Sequence, residues 1–174
     1  MAAPRKKIGV LVEFNYEDLE LWYPLLRFRE EGMETITIGP EKDKIYKSKN
    51  GYPCKADVDI ETVSPADLDA LIIPGGWAPD YWRRDKRFVD LVRCMFEAEK
   101  PVAAMCHGPW LLISANVLRG RQATCWHSIK DDVTNAGAEY QDAAVVVDGN
   151  LITSRGPNDL PDFCKALLTQ LLFS

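Results

Sequence analysis

The segment PVAAMCHGPWLL (residues 101–112) joins a short apolar run to a cysteine, a histidine, a glycine and a proline in direct succession. The run from Val102 to Met105 is continuous, which is typical of a strand that is covered on both faces of a parallel sheet. His107-Gly108-Pro109 then opens a helix, because proline is favoured in the first helical turn. Cys106 therefore lies at a strand-to-helix corner, where it is either a nucleophile or a packed thiol.

The alternation of apolar runs and helical segments continues along the chain. The runs bounded by turn residues are Ile8 to Val12, Thr35 to Ile38, Ala70 to Ile73, Val102 to Met105, Ala144 to Val147 and Leu151 to Thr153. Apolar residues between them lie on two helical stripes, which consist of Leu19, Trp22, Tyr23, Leu26 and Phe28 and of Phe88, Leu91, Val92, Met95 and Phe96. This order predicts an α/β fold with a doubly wound, mainly parallel sheet.

Two glycine turns predict short antiparallel excursions from that sheet. Asn50-Gly51 lies between Ile45-Tyr46 and the segment from Tyr52 to Val58, so a small hairpin is expected there. Asp148-Gly149 marks a second antiparallel pair further along the chain. A last helix is expected to have Pro161 in its first turn.

Length and composition fit one compact domain over residues 1–174, since 47% of the residues are hydrophobic. The chain carries 21 basic and 26 acidic residues and no basic run longer than Arg5-Lys6-Lys7, so no nucleic-acid partner is expected. Residues Met1 to Lys7 lack the apolar core of a signal peptide, and no apolar stretch is long enough to span a bilayer. We expect a soluble, cytoplasmic protein without a membrane partner.

The five cysteines are odd in number and show no close pairing pattern, which predicts reduced thiols rather than a disulfide framework. Cys54, Cys94 and Cys164 are expected to be small buried side chains. Cys125-Trp126-His127 and Cys106-His107 contain soft metal ligands, but their spacing fits no familiar zinc pattern. No metal site is therefore predicted.

Three groups are brought to one edge of the sheet by their positions in the sequence. Ligands of an open α/β sheet bind outside the carboxyl ends of its strands. Cys106 follows one strand, Gly75-Gly76 ends the strand that begins at Ala70, and Glu17 follows the first strand. A helix amino end favours a thiolate, and the glycines let backbone amides approach a substrate oxygen. The amide of His107 would be a second donor.

Each of these residues also has a structural interpretation. Glu17 is equally well explained as a first-turn acid that the helix dipole favours. His107 alone is uninformative, because neighbouring side chains usually diverge at such a corner. Trp77, Tyr81 and Trp82, beside the glycine turn, form either an exposed patch at a subunit contact or part of the local core.

Several separate motifs, in order, resemble those of the ThiJ/PfpI superfamily, and the PfpI-type intracellular proteases are the most similar branch. The motifs are NYEDLELWYPLLRFREEG, LIIPGGWAPD, AAMCHGPWLLISANVLRGR and IKDDVTNAGAEYQDAAVVVDGNLITSR. The resemblance runs from about Lys7 to the end of the chain. It implies a flavodoxin-like three-layer α/β/α sandwich with a mainly parallel sheet and a small antiparallel hairpin.

The resemblance also implies roles for individual residues. Cys106 would be the nucleophile at a strained elbow, with Glu17 hydrogen-bonded to its thiol. The oxyanion amides would be those of Gly76 and His107. PfpI-type proteins assemble from dimers into hexamers, and an acid from a neighbouring subunit, here Asp80, would complete a Cys-His-acid triad.

The sequence departs from the family pattern in two places. Asp80 stands where the archaeal-type proteases carry Glu, so the triad would be longer or water-bridged. Cys125-Trp126-His127 stands where relatives often carry Ser-Tyr-Pro, so no tyrosine hydroxyl is available. Gly75, Trp126 and His127 are the predicted substrate-binding residues.

The family's chemistry leaves three functions to compare. The first is a cofactor-free glyoxalase or deglycase that acts on small dicarbonyls or early glycation adducts through a Cys106 hemithioacetal. The second is a cysteine peptidase, which needs His107 to protonate a leaving amine while Asp80 orients it. The third is a redox-sensing stress or chaperone protein that uses Cys106 oxidation. The first is preferred, since it avoids the part of the site that departs from the pattern.

Overall fold

The structure, a computed structural model, describes residues 5–173, so the predictions for residues 1–4 lie outside it. The strands are β1 Lys7–Leu11, β2 Glu34–Gly39, β3 Ile45–Lys47, β4 Pro53–Lys55, β5 Val58–Asp59, β6 Ala70–Ile73, β7 Val102–Met105, β8 Gln122–Ala123, β9 Glu139–Tyr140, β10 Val145–Asp148 and β11 Leu151–Ser154. The helices are α1 Asp18–Glu30, α2 Ala78–Trp82, α3 Lys86–Glu97, α4 Pro109–Ser114, α5 Lys130–Asn135 and α6 Leu160–Phe173.

A seven-stranded sheet in the order β10-β11-β7-β6-β1-β2-β5 forms the centre of the fold. Its neighbouring strands run parallel, except that β10 pairs antiparallel with β11. The β3-β4 hairpin lies outside this sheet, and its turn contains Asn50-Gly51, as the turn signal predicts. The short parallel pair β8-β9 has no counterpart in the sequence prediction. The α/β class, the mainly parallel sheet and the small hairpin are confirmed.

Helices cover both faces of this sheet. The chain moves from β1 to β2 in one direction and from β6 to β7 in the other, so right-handed crossovers place α1 and α3 on opposite faces. α1 packs with α6, whereas α3 and α2 pack with α4. β6, β7 and β11 are buried along their whole length, which explains why their sequences are continuous apolar runs.

The buried face of α1 differs from the predicted stripe. Leu19, Tyr23 and Leu26 are exposed. The buried residues are Glu20, Leu21, Pro24, Leu25 and Phe28. The prediction was wrong because the stripe followed large apolar side chains, whereas the side of the helix that faces the sheet edge includes the polar residue Glu20.

The structure decides between the two alternatives for the aromatic residues and corrects the prediction for one cysteine. Trp82 is fully buried and packs on Phe88 with 6.2 Å between ring centroids, so it belongs to the core and not to an exposed patch. Trp77 and Tyr81 are exposed, as the subunit-contact interpretation requires. Cys94 is exposed on α3, whereas Cys54 and Cys164 are buried as expected.

The turn after β6 is held tightly against the segment that leads into α1. Gly76 has φ +73°, and a Cβ atom added there would lie 2.5 Å from both the Asn15 carbonyl oxygen and the Glu17 nitrogen. The Trp77 N–H donates to the Asn15 oxygen at 2.8 Å. These contacts fix the start of α1 relative to the carboxyl edge of the sheet.

We expect Gly76→Ala to lower the free energy of unfolding more than Gly32→Ala does. Gly32 also has positive φ, at +77°, but an added Cβ would meet nothing within 4 Å. Gly32→Ala should therefore cost about 1 kcal/mol of backbone strain. Gly76→Ala should cost about 1–3 kcal/mol more, because of overpacking. Urea denaturation of both variants checks this, and equal losses would contradict the tight contact.

Candidate active site

Cys106 occupies a strained corner between β7 and α4. Its φ is +56°, a left-handed conformation that few residues other than glycine adopt. Its N–H donates to the Ser154 carbonyl oxygen at 3.0 Å, which ties the corner to the neighbouring strand β11. The residue is 7% exposed. This is the geometry of a nucleophile elbow, in which a short side chain is held clear of the backbone at the sheet edge.

Three chemical groups converge on Gly75, at the end of β6. A Cβ atom added to Gly75 would lie 2.5 Å from Glu20 Oε2, 2.6 Å from Cys106 Cβ and 3.0 Å from the His107 nitrogen. The Gly75 N–H donates to Glu20 Oε2 at 2.7 Å. Only a residue without a side chain leaves the carboxyl group, the cysteine and the amide this close together.

Glu20, rather than Glu17, is the acid that the structure places against the thiol. The Glu20 side chain is fully buried beside Cys106, and each of the two groups shifts the pKa of the other. Glu17 instead caps α1, and its Oε2 accepts from the Glu20 N–H at 3.1 Å. The expected hydrogen bond from Glu17 to the thiol is therefore corrected, because capping directs that carboxylate to the helix start. Glu17 still lines the same pocket.

Burial sets the protonation of the acid and the thiol. It raises the pKa of Glu20 to about 8, and the charge of Glu17 acts in the same direction. Burial also raises the pKa of the Cys106 thiol, as does the negative charge of Glu20, while the amides of Gly76 and His107 lower it. Glu20 therefore carries a proton at neutral pH. The Gly76 and His107 amides lie close to the thiol, and their role as oxyanion donors stays a prediction.

His107 lies beside the thiol with both ring nitrogens in contact with polar atoms. Nδ1 is 3.3 Å from Cys106 Sγ, and Nε2 is 3.4 Å from Ser128 Oγ. Trp110 and Trp77 flank the ring, with centroids 4.9 and 5.5 Å away. Burial lowers the pKa of His107, and the charges of Lys49 and His127 lower it further. The ring is thus neutral at neutral pH and can accept the thiol proton.

Asp80 does not hold His107 within this chain. It lies on α2 with an exposed side chain, and its carboxylate pairs with Arg84 at 3.4 Å. Ser128 takes the place on the ring that a triad acid would occupy. The intersubunit role of Asp80 stays a prediction.

The thiol opens into a cavity of about 240 Å³. Its lining consists of Glu17, Glu20, Lys49, Gly76, Trp77, Cys106, His107, Trp126 and Pro157. Trp126 also borders a second cavity of about 300 Å³, which contains His127 and Arg155. Glu20, Lys49 and Pro157 line this cavity but are not among the residues that the sequence predicts for the site. Only Glu20 has a sequence signal, because it lies on one helical stripe with Leu21, Leu25 and Phe28.

Neither a metal centre nor a membrane span is formed by the part of the chain that the structure describes. Within residues 5–173, no three or more His, Cys, Asp or Glu side chains are grouped so that they could hold a metal ion. No helix in that range combines the length and apolar character that a bilayer crossing requires.

Residues 6–170 match the model of the DJ-1/PfpI family. The chain belongs to this family. It is 49% identical to protein/nucleic acid deglycase 2 of Escherichia coli over 168 residues, which is 95% of this chain and 98% of that one. It is also 49% identical to a deglycase of Thermococcus kodakarensis over 154 residues, covering 88% of this chain and 92% of the relative.

A solved two-domain protein of Anabaena variabilis, with DJ-1/ThiJ/PfpI-like and ferritin-like domains, has the same fold over almost the whole chain. The TM-score is 0.94 at 43% identity, and the match covers 96% of this chain and 48% of that one. The sequence-based family assignment and the flavodoxin-like sandwich are therefore confirmed.

Replacing Glu20 by glutamine should change how stability depends on pH. The folded-state pKa of Glu20, about 8, lies above its ordinary value of 4.5, so the unfolded chain releases this proton first as the pH rises. The stability that the protonated group contributes is therefore present below about pH 4.5 and lost by about pH 8. A glutamine at this position stays neutral at every pH, so the variant does not lose stability in this way as the pH rises.

The free energy of unfolding of Glu20→Gln, relative to the unmodified chain, should rise with pH between these limits by up to about 1.4 kcal/mol per pH unit. Urea denaturation at several pH values measures the difference. Glu139→Gln, which changes an exposed carboxylate, is the control. A relative stability that is flat with pH would mean that Glu20 is ionised in the folded protein.

Proposed function

We propose that this chain is a cysteine-dependent deglycase or glyoxalase that converts small dicarbonyls, or the adducts they form with amines, into hydroxy acids. One observation carries the proposal: the Glu20 carboxyl group, whose pKa burial raises to about 8, lies beside Cys106 in a pocket that Gly76 and His107 also line. Relatives named deglycases share 49% of their aligned residues with this chain. It is a cysteine-nucleophile enzyme.

The reaction begins when Cys106 adds to the aldehyde carbon. The thiol proton passes to Nδ1 of His107, which is 3.3 Å from Sγ. A sulfur–carbon bond forms, and the π pair of the carbonyl moves onto its oxygen, beside the Gly76 and His107 amides. Glu20 gives its proton to that oxygen, and the product is a neutral hemithioacetal. In an early glycation adduct, which already carries this hydroxyl group, the sulfur displaces the amine: the carbon–nitrogen bond breaks, its electron pair stays on the nitrogen, and Glu20 gives its proton to the departing amine.

The Glu20 carboxylate produced in this step then removes the proton from the attacked carbon. The electron pair of that C–H bond forms a double bond to the adjacent carbon, whose carbonyl π pair moves onto its own oxygen. Glu20 returns the proton to the adjacent carbon, and the proton of the first hydroxyl group moves to the second oxygen. The result is a thioester with a hydroxyl group on the next carbon, and no net oxidation has occurred.

Water completes the cycle. It adds to the thioester and loses one proton to the Glu20 carboxylate, the carbon–sulfur bond breaks, and the His107 imidazolium returns its proton to the sulfur. The products are a hydroxy acid, which ionises in solution, and the free thiol. Each step uses side chains and amides that line the pocket, together with water.

When one preparation of the purified protein is assayed with both substrates, it should turn over methylglyoxal faster than a fluorogenic peptide. Aldehyde addition expels no poor leaving group, whereas amide cleavage needs a correctly aimed imidazolium, and assistance of that kind is worth about a hundredfold or more. Cys106→Ser and Glu20→Gln should both reduce glyoxal turnover at least a hundredfold. Glu17→Gln, which changes the capping carboxylate, should reduce it much less.

The 3.3 Å contact between His107 Nδ1 and Sγ also suits a cysteine peptidase, which is the second candidate. The same assay separates the two. Efficient peptide cleavage that survives Glu20→Gln, with negligible glyoxal turnover, would replace the deglycase proposal with the peptidase. Peptide cleavage has no use for a protonated carboxyl group at the thiol.

We also propose that the active unit is a homo-oligomer, with Asp80, Trp77 and Tyr81 at or near the subunit contact. The two rings are 56% and 39% exposed beside the pocket, and an apolar surface of this kind is typical of a contact. Sedimentation should show an oligomer at micromolar concentration. A fully active monomer would refute the contact, whereas a normal rate for Asp80→Ala would remove only its part in a triad.

The remaining sequence predictions fit this function. One domain over residues 1–174 and a cytoplasmic location stay predictions. The five free cysteines support a reducing compartment.

A further inference from the structure

Lys49 reaches the active-site pocket from a separate part of the chain. It lies in the turn between β3 and β4, and its N–H donates to the Tyr16 carbonyl oxygen at 3.0 Å. This hydrogen bond holds the hairpin turn against the segment that leads into α1. The Lys49 side chain lines the same cavity as Cys106.

The ammonium group of Lys49 is loosely held. Its Nζ is 3.7 Å from Glu17 Oε1, which is longer than a charge-assisted hydrogen bond of about 2.8 Å, and the side chain is 43% exposed. The other oxygen of Glu17 already accepts the Glu20 N–H. Lys49 is therefore free to donate to a ligand without leaving a capping group unsatisfied.

Lys49 is also the only lysine or arginine among the described residues that line this cavity. Its charge lowers the pKa of both His107 and Glu20, so it acts on the two groups that flank the thiol. The Gly76 and His107 amides serve the oxygen on the attacked carbon. In the proposed reaction neither of these amides serves the oxygen on the adjacent carbon of the substrate.

We propose that Lys49 forms an anion subsite, which holds a negatively charged oxygen on the carbon adjacent to the one that Cys106 attacks. A carboxylate in that position is one source of such an oxygen. The other is the enediolate oxygen that forms when the hemithioacetal loses its carbon-bound proton; this second part rests on the proposed function. In both cases an ammonium group that lines the same cavity stabilises the negative charge.

Alkylation by iodoacetate and iodoacetamide tests the carboxylate part without any turnover. Both reagents form a sulfur–carbon bond with the Cys106 thiolate and release iodide, and they differ in one negative charge. The experiment uses a Cys94→Ser background, because Cys94 is an exposed thiol. The quantity measured is the ratio of the two rate constants, by mass spectrometry of the Cys106 peptide.

Lys49→Met should lower the ratio of the iodoacetate rate to the iodoacetamide rate by about tenfold. Lys49→Arg should retain most of the unmodified chain's ratio, because the positive charge is kept. Lys47→Met is the matched control, since it removes the same charge from an exposed position on the same hairpin. Equal falls in the Lys49→Met and Lys47→Met variants would overturn the subsite. The iodoacetamide rate shows in each variant that the thiol environment is intact.

Methylglyoxal turnover tests the enediolate part. Lys49→Met should lower kcat by at least tenfold and change KM little, since methylglyoxal is neutral until the enediolate forms. A reduced alkylation ratio with an unchanged kcat would overturn this part and leave a subsite for carboxylates. If the unmodified chain does not turn over methylglyoxal, the proposed function fails, while the alkylation ratio still decides whether the subsite exists.

Discussion

The burial of the Glu20 carboxyl group against Gly75 and Cys106 is the constraint on which the site depends. An ionised carboxylate in this position would be desolvated and would repel a thiolate, so burial raises the pKa of the group. One oxygen of the carboxyl group is fixed by the Gly75 N–H. The other is buried and has no hydrogen-bond partner among the described residues, so its bonding capacity is left for the thiol and for a substrate. A carboxyl group with a raised pKa is thus built into the core face of α1.

Sequence patterns predict the sheet well, because its strands are buried on both faces. The apolar runs from Ala70 to Ile73 and from Val102 to Met105 coincide with β6 and β7. The elbow residue Cys106 follows from its position after such a run. Strand β10 and the hairpin β3-β4 follow from their glycine turns, whose residue types are specific for tight reversals.

The error in the buried face of α1 arises because a buried polar residue looks like a surface residue in a periodic pattern. Glu20 lies on the inner face with Leu21 and Leu25, whereas the predicted stripe followed apolar side chains that are exposed. Glu17 is the acid predicted from its position after the first strand and from the family resemblance. Lys49 was missed for another reason. Its position depends on a contact to Tyr16 across 33 residues, and local patterns contain no information on such contacts. For Glu20, by contrast, the missing information is which face of α1 packs against the sheet.

The division of the pocket between the sheet edge and the surrounding loops has an evolutionary consequence. The groups that make the thiol reactive belong to the ends of β6 and β7 and to the inner face of α1, where backbone strain and close packing leave little freedom to vary. Trp126 precedes a short 3-10 helix, His127–Ile129, which contacts the site from outside. Mutations of Trp126 and His127 can alter which molecules enter without disturbing the nucleophile. Selectivity can thus diverge among descendants of one ancestor while reactivity is inherited unchanged.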